Sequence, residues 1–215
     1  MVIHYNMIQI ILLIMFSSCE VQKDVPKYIS EKFTYCYDGK NTGIDSLLNI
    51  DGYYVIAQPF SNFGYSSRDT SYFNMMLYRN GVCVLNFFPL DNKGRVINNK
   101  LMPLFFKTII EERESKEATF FYNTRSWGRY IVERDTIKAQ CIYRPRAGET
   151  TNIWGINEVW YRIINRTTII EIPSESLTNT TTSLKSIYLP ARFVPVKEKP
   201  TPDCWLMTED WFRCE

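Results

Sequence analysis

Six cysteines, one histidine, a run of acids and five tryptophans are the residues of this 215-residue chain whose types could carry chemistry. The only histidine is His4, close to the amino-terminal end. With the leader described below removed, no imidazole remains to act as a base, which excludes Ser-His-Asp and Cys-His mechanisms. The commonest neutral zinc ligand goes with it, and no Cys-x-x-Cys pair offers a thiolate site, so neither a metal nor a cofactor is expected. Nine glycines and no glycine-rich loop argue against a phosphate cradle. Two carboxylates about 5–10 Å apart would suffice for glycoside hydrolysis. The cluster Glu111, Glu112, Arg113 and Glu114 falls in the charged half of an expected helix, however, and reads as a solvated face. No catalytic residue is assigned.

The opening residues set the compartment. In "MIQIILLIMFSSCEV" the apolar run ending at Phe16 is too short to cross a membrane, which takes about 20 residues. Ser17, Ser18 and Cys19 follow, and the chain turns polar at Glu20. A short apolar segment ending in small residues has the layout of a secretory signal peptide. With cysteine directly after the small residues, "FSSC" resembles a bacterial lipobox. That resemblance implies cleavage before Cys19 and acylation of its sulfur and new amino group. The expected organisation is a leader over 1–18, a polar tether over 19–32 and one domain over 33–215. Two or three acyl chains hold a protein firmly, at about 0.8 kcal/mol per buried methylene. The expected location is the cell envelope, on the outer membrane, with no spanning helix.

Lipid on Cys19 leaves five cysteines, so at least one thiol stays unpaired. Cys204 and Cys214 bracket "CWLMTEDWFRC", and a bridge between them would close a small carboxy-terminal loop. Cys83 in "GVCVLNFF" and Cys141 in "IKAQCIY" lie in strand-like runs and read as small buried hydrophobes.

The elements that would position these residues are mostly strands. Aromatic residues (14 Tyr, 13 Phe, 5 Trp) suit a half-buried pleated surface. "YFNMMLYRNGVCVLNFF" carries Asn80-Gly81 between two apolar runs, a strong hairpin signal. "WGRYIVERDTIKAQCIYR" turns at Arg134-Asp135, and its second strand alternates, with Ile137, Ala139, Cys141 and Tyr143 on one face. "EVWYRIINRTTIIEI" repeats the scheme with a turn near Asn165-Arg166. With "GYYVIAQ" and "SIYLPARFVPV" added, about eight strands form an antiparallel meander. One amphipathic helix interrupts it, over "NKLMPLFFKTIIEERESKE", with Leu101, Leu104, Phe105 and Ile109 on its buried stripe. The Thr-rich "SLTNTTTS" is a polar loop, and the acceptor-like Asn165-Arg166-Thr167 and Asn179-Thr180-Thr181 carry no meaning in a bacterial lipoprotein. A net charge of +2 with scattered basic residues excludes nucleic acid as a partner.

The lipobox-like "FSSC", the "DGYY" at the first strand and the "WGRYIVERDTIK" hairpin together resemble the lipocalin-like barrels of bacterial lipoproteins, over most of residues 45–196. The resemblance implies a mainly β fold whose meander closes into a barrel with a side-chain-lined interior, and sometimes a small apolar ligand site. A β-sandwich is the alternative architecture. Large aromatics in a barrel most often fill its core. The expected function is binding of a small, mostly apolar ligand near Tyr130, Tyr143, Trp154 and Tyr161, with Trp154 the most exposed tryptophan. An envelope structural or interaction protein with a filled barrel is the alternative, and a carboxylate hydrolase the third reading. Partners are then the membrane, through Cys19, and a small apolar ligand or an envelope protein.

Overall fold

The computed structural model describes residues 25–59, 70–87, 102–143, 154–173 and 190–214. The leader, Cys19 and the first residues of the tether lie outside them. The strands are β1 (Gly52–Pro59), β2 (Thr70–Leu77), β3 (Val82–Leu85), β4 (Ser126–Glu133), β5 (Thr136–Tyr143), β6 (Gly155–Asn165), β7 (Thr168–Ile172) and β8 (Pro190–Pro195). Each pairs antiparallel with the next in sequence, and β8 pairs back onto β1, giving a closed eight-stranded barrel. The fold is thus mainly β, as a lipocalin-like barrel requires, and not a sandwich.

The hairpin signals explain three of the corners. Asn80-Gly81 falls in a three-residue turn over 79–81 and not a two-residue one: Gly81 alone is left-handed, at φ +84°, and its N–H donates to Tyr78 O. Arg134 adopts φ +57° in the Arg134-Asp135 turn. The third corner falls at Arg166-Thr167, one residue later than the sequence suggests. Asn165 still pairs with Thr168, and its Oδ1 accepts the Thr167 N–H at 2.9 Å, so the strand runs on through Asn165.

Helices cover one side of the barrel. α1 (Lys27–Lys32) precedes it, while α2 (Met102–Glu111) and α3 (Lys116–Thr124) fill the connection between β3 and β4. The single expected helix is broken in two because the Ser115 side chain accepts the Ala118 N–H and starts a second helix. The buried stripe keeps Ile109, as expected, but takes Met102 and Phe106 in place of Leu104 and Phe105. Met102, Phe106 and Ile109 face inward, Leu104 is 64% exposed, and Leu101 lies outside the described residues. Phe106 wins the inward place by packing between the rings of Tyr53 and Phe87. α1 occupies part of the segment read as a tether, and its Ile29 is 2% exposed against the barrel wall.

Two apolar clusters result. One fills the barrel, with Ile44, Leu48 and Ile50 from the segment before β1 closing one end. The other lies between the outer wall and the helices, with Tyr53, Val84, Phe87, Phe106, Phe121 and Trp127 in it. Gln140 belongs to the polar face of β5 yet is buried, because the strap leading away from α1 lies across it. Gln140 Oε1 accepts the Thr34 N–H at 2.8 Å, and its amide donates to Glu158 at 2.9 Å.

The expected Cys204–Cys214 bridge does not form. Cys214 is bonded to Cys36, and Cys204 is a buried free thiol. The cause is a parallel bridge between Tyr37 and Arg213, in which Tyr37 N–H donates to Phe212 O and Cys214 N–H donates to Tyr37 O. That pairing sets Cys36 beside Cys214, while Cys204 packs into the core two short 3₁₀ helices earlier. The bridge closes a loop across 178 residues, tying the first strap to the last. Replacing both partners by alanine should cost about 2–5 kcal/mol in denaturant unfolding, without loss of the β spectrum by circular dichroism.

Candidate functional site

Paired residues on neighbouring antiparallel strands point to the same face. That rule places Tyr54, Ile56, Met75, Leu77, Cys83, Leu85, Tyr130, Ile137, Ala139, Cys141, Tyr161, Ile169 and Ala191 inside the barrel. Large rings and small residues alternate, and the small ones meet around Gly128. Gly128 pairs with both Cys83 and Cys141, so the two sulfurs approach to 3.4 Å over the missing side chain. A Cβ at Gly128 would stand 1.9 Å from Gln140 O and 2.6 Å from Cys141 Cα. Burial, then the neighbouring sulfur, hold the Cys83 thiol well above its ordinary pKa. Both cysteines are fully buried, as small core residues would be.

Among the described residues, the interior side chains pack closely against one another. The cavity bounded by Tyr54, Ile56, Asn74, Met75, Tyr161, Ile169 and Ala191 measures about 10 Å³. That is room for about one water molecule. Tyr161 lies against it, and burial raises its phenol pKa. Tyr130 is also inside, with its hydroxyl donating to Tyr78 O at 2.6 Å and meeting Thr42 Oγ1 at 3.0 Å. Tyr143 stands at the far rim, 45% exposed, with its ring in the space a Cβ on Gly155 would need. Trp154 is not exposed as expected. It is 2% exposed on the outer wall, with its ring centroid 5.7 Å from that of Trp205, and the Tyr28 hydroxyl donates to its carbonyl. The four aromatics therefore occupy three separate environments and do not converge.

The two ends of the barrel differ. At one end lie the turns at 79–81, 134–135 and 166–167, and the segment Ile44–Asp51 folds across it. The last residues of β1, β3, β5 and β7 and the first of β2, β4, β6 and β8 lie at the opposite end, as the antiparallel pairing requires.

At the short-turn end a groove of about 380 Å³ opens beside β8. Leu48, Ile50, Phe193, Pro195 and Val196 give it an apolar wall, and Asp45, Asn49, Asp51, Arg79 and Arg166 line the rest. Its charged groups are held in place. Arg79 Nε sits 3.1 Å from Asp45 Oδ2. The Arg166 guanidinium donates to Ser46 O at 2.9 Å, Asp45 O at 3.1 Å and Asn49 Oδ1 at 3.3 Å. Behind Ile50, the Lys199 ammonium donates to Ile50 O at 2.6 Å and Leu77 O at 2.7 Å, and it lies 4.5 Å from the Tyr78 ring centroid. Burial pulls the Lys199 pKa down to about 8, against a smaller upward pull from Asp51. Sequence reasoning misses this site because its residues come from four separate segments. All three hairpin turns carry an arginine, Arg79, Arg134 and Arg166, so no local signal singles out the two that line the groove.

Among the described residues, no group of three or more His, Cys, Asp or Glu side chains is placed to hold a metal ion, and no helix is long and apolar enough to cross a membrane. No protein-family model, curated protein or solved structure matches this chain.

Two tests follow from this geometry. Gly128→Ala should lower stability by about 3 kcal/mol, read as a lower denaturant midpoint, because the β5 backbone at Gln140 and Cys141 occupies the space a Cβ needs. The second concerns pH. Between about pH 8 and the ordinary lysine value of 10.5, the folded chain has released the Lys199 proton and the unfolded chain still holds it. The unfolded state binds more protons there, so stability rises with pH across that window. Thermal melts from pH 8 to 10 should show the rise in the native chain and lose it in Lys199→Met.

Proposed function

We propose that this chain is a lipid-anchored protein of the cell envelope, held on the outer membrane through Cys19, and that it works as a binding module without catalysis. Its ligand is small and mostly apolar. The observation that carries the reading is the 380 Å³ groove, a concave site of ligand size with an apolar wall and a few fixed polar groups. A rigid closed sheet is a good support for such a site, since the groove residues sit at strand ends and tight turns. The Cys36–Cys214 bridge supports an oxidising compartment and hence export.

A second reading has its own support. The 10 Å³ cavity beside Tyr54 and Tyr161 favours a filled barrel serving as a structural or interaction protein of the envelope, with partners docking outside. Native mass spectrometry of the purified protein separates the two. Binding predicts an extra mass of a few hundred daltons that is lost on denaturation, and scaffolding predicts identical native and denatured masses. The anchor has an independent test: labelling with radioactive fatty acid should disappear in Cys19→Ala, and labelling that persists removes the anchor from the account.

A further inference from the structure

The charges lining the groove, Asp45, Asp51, Arg79 and Arg166, balance in number but not in pairing, and the pairing says what kind of ligand fits. Arg79 is matched by Asp45 at 3.1 Å. Lys199 lies in the attractive field of Asp51. Arg166 is different: its three hydrogen bonds go to two backbone carbonyls and one side-chain amide oxygen, all neutral. Among the described residues it has no carboxylate within ion-pair distance. Its positive charge is therefore fixed in orientation and uncompensated, at the edge of a groove whose other wall is Phe193, Pro195 and Val196.

We infer that the groove binds an amphiphile with a single carboxylate head, the head on Arg166 and the apolar chain along Phe193, Pro195 and Val196. This rests on the binding-module reading and gives it a ligand class and a place outside the barrel. A planar carboxylate matches the guanidinium fork, which still has donors to give. A dianionic phosphate fits less well, because Asp51 also lines the groove and repels a second negative charge. The size agrees too. A groove of 380 Å³ has room for about a dozen water-sized groups at about 30 Å³ each. A ten-carbon fatty acid has about that many non-hydrogen atoms.

Isothermal titration of the purified protein with decanoate and with decanol tests the inference. Decanoate should bind about tenfold or more tightly than decanol, and added salt should weaken decanoate alone. Arg166→Gln should reduce decanoate affinity about tenfold and leave decanol unchanged. Arg166 also holds the Asp45–Asn49 segment, so a variant of opposite sign guards against a folding artefact. Asp51→Asn removes the repelling charge and should tighten decanoate about threefold, an effect that damage to the fold does not produce. Equal binding of decanoate and decanol, an unaffected Arg166→Gln variant, an Asp51→Asn variant that does not gain affinity, or no decanoate binding at millimolar concentration would overturn the inference. If native mass spectrometry shows a bound mass that decanoate does not displace, the binding module stands and the carboxylate assignment fails.

Discussion

An open sheet of eight strands would leave two rows of unpaired backbone groups, and the pairing of β1 with β8 removes both. That contact is close. At Gly52, which opens β1, a Cβ would stand 2.1 Å from Val194 O, so the approach is available to glycine alone. From there the register runs Tyr53 to Val194, Tyr54 to Phe193 and Val55 to Arg192. Closure creates the interior that Tyr54 and Phe193 share, with ring centroids 5.4 Å apart. It also brings the residues just before β1 beside those at the end of β8, since Val196 N–H donates to Asp51 O. The groove is the outer consequence of the same closure, and its two walls are the two sides of that seam.

Packing on both sides of the sheet gives the seam its rigidity. Inside, Tyr54, Tyr130 and Tyr161 are buried in one apolar cluster, and the cavity beside Tyr54 and Tyr161 measures only about 10 Å³. Outside, β1 to β5 are covered by a continuous set of aromatic contacts, from Tyr53 through Phe87, Phe106 and Phe121 to Trp127. Edge-to-face pairs of this kind add about 0.5–1.5 kcal/mol each beyond the area they bury. The straps at the two chain ends lie over this layer and are bonded to each other through Cys36 and Cys214. A barrel packed in this way is better suited to present a site at its rim than to open its core.

The local features of this architecture were legible in the residues. Asn80-Gly81 and Arg134-Asp135 fall at their turns because turn chemistry acts within a few residues. The alternation of Ile137, Ala139 and Cys141 marks the inner face of β5 because strand period is a local property. What was not legible depends on distant partners. Cys214 pairs with Cys36 and not Cys204 because of a bridge between chain ends 176 residues apart, Tyr37 to Arg213. The helix stripe shifted to Met102 and Phe106 because the space between Tyr53 and Phe87 selects Phe106. Trp154 is buried because Trp205, 51 residues on, covers it. The groove follows the same rule: Arg79 and Arg166 are turn residues like Arg134, and only barrel closure makes them neighbours of Phe193.

The central claim is that the barrel core is solid and that binding takes place on the rim beside the β1–β8 seam. Mapping amide shifts by NMR as decanoate is added would test it most directly. The account predicts that the perturbed amides are those of Asn49, Asp51, Arg79, Arg166, Phe193 and Val196, with Cys141, Tyr161 and Ile169 unmoved. Shifts concentrated on Cys141, Tyr161 and Ile169 would mean that the ligand enters the barrel, and the account would be wrong.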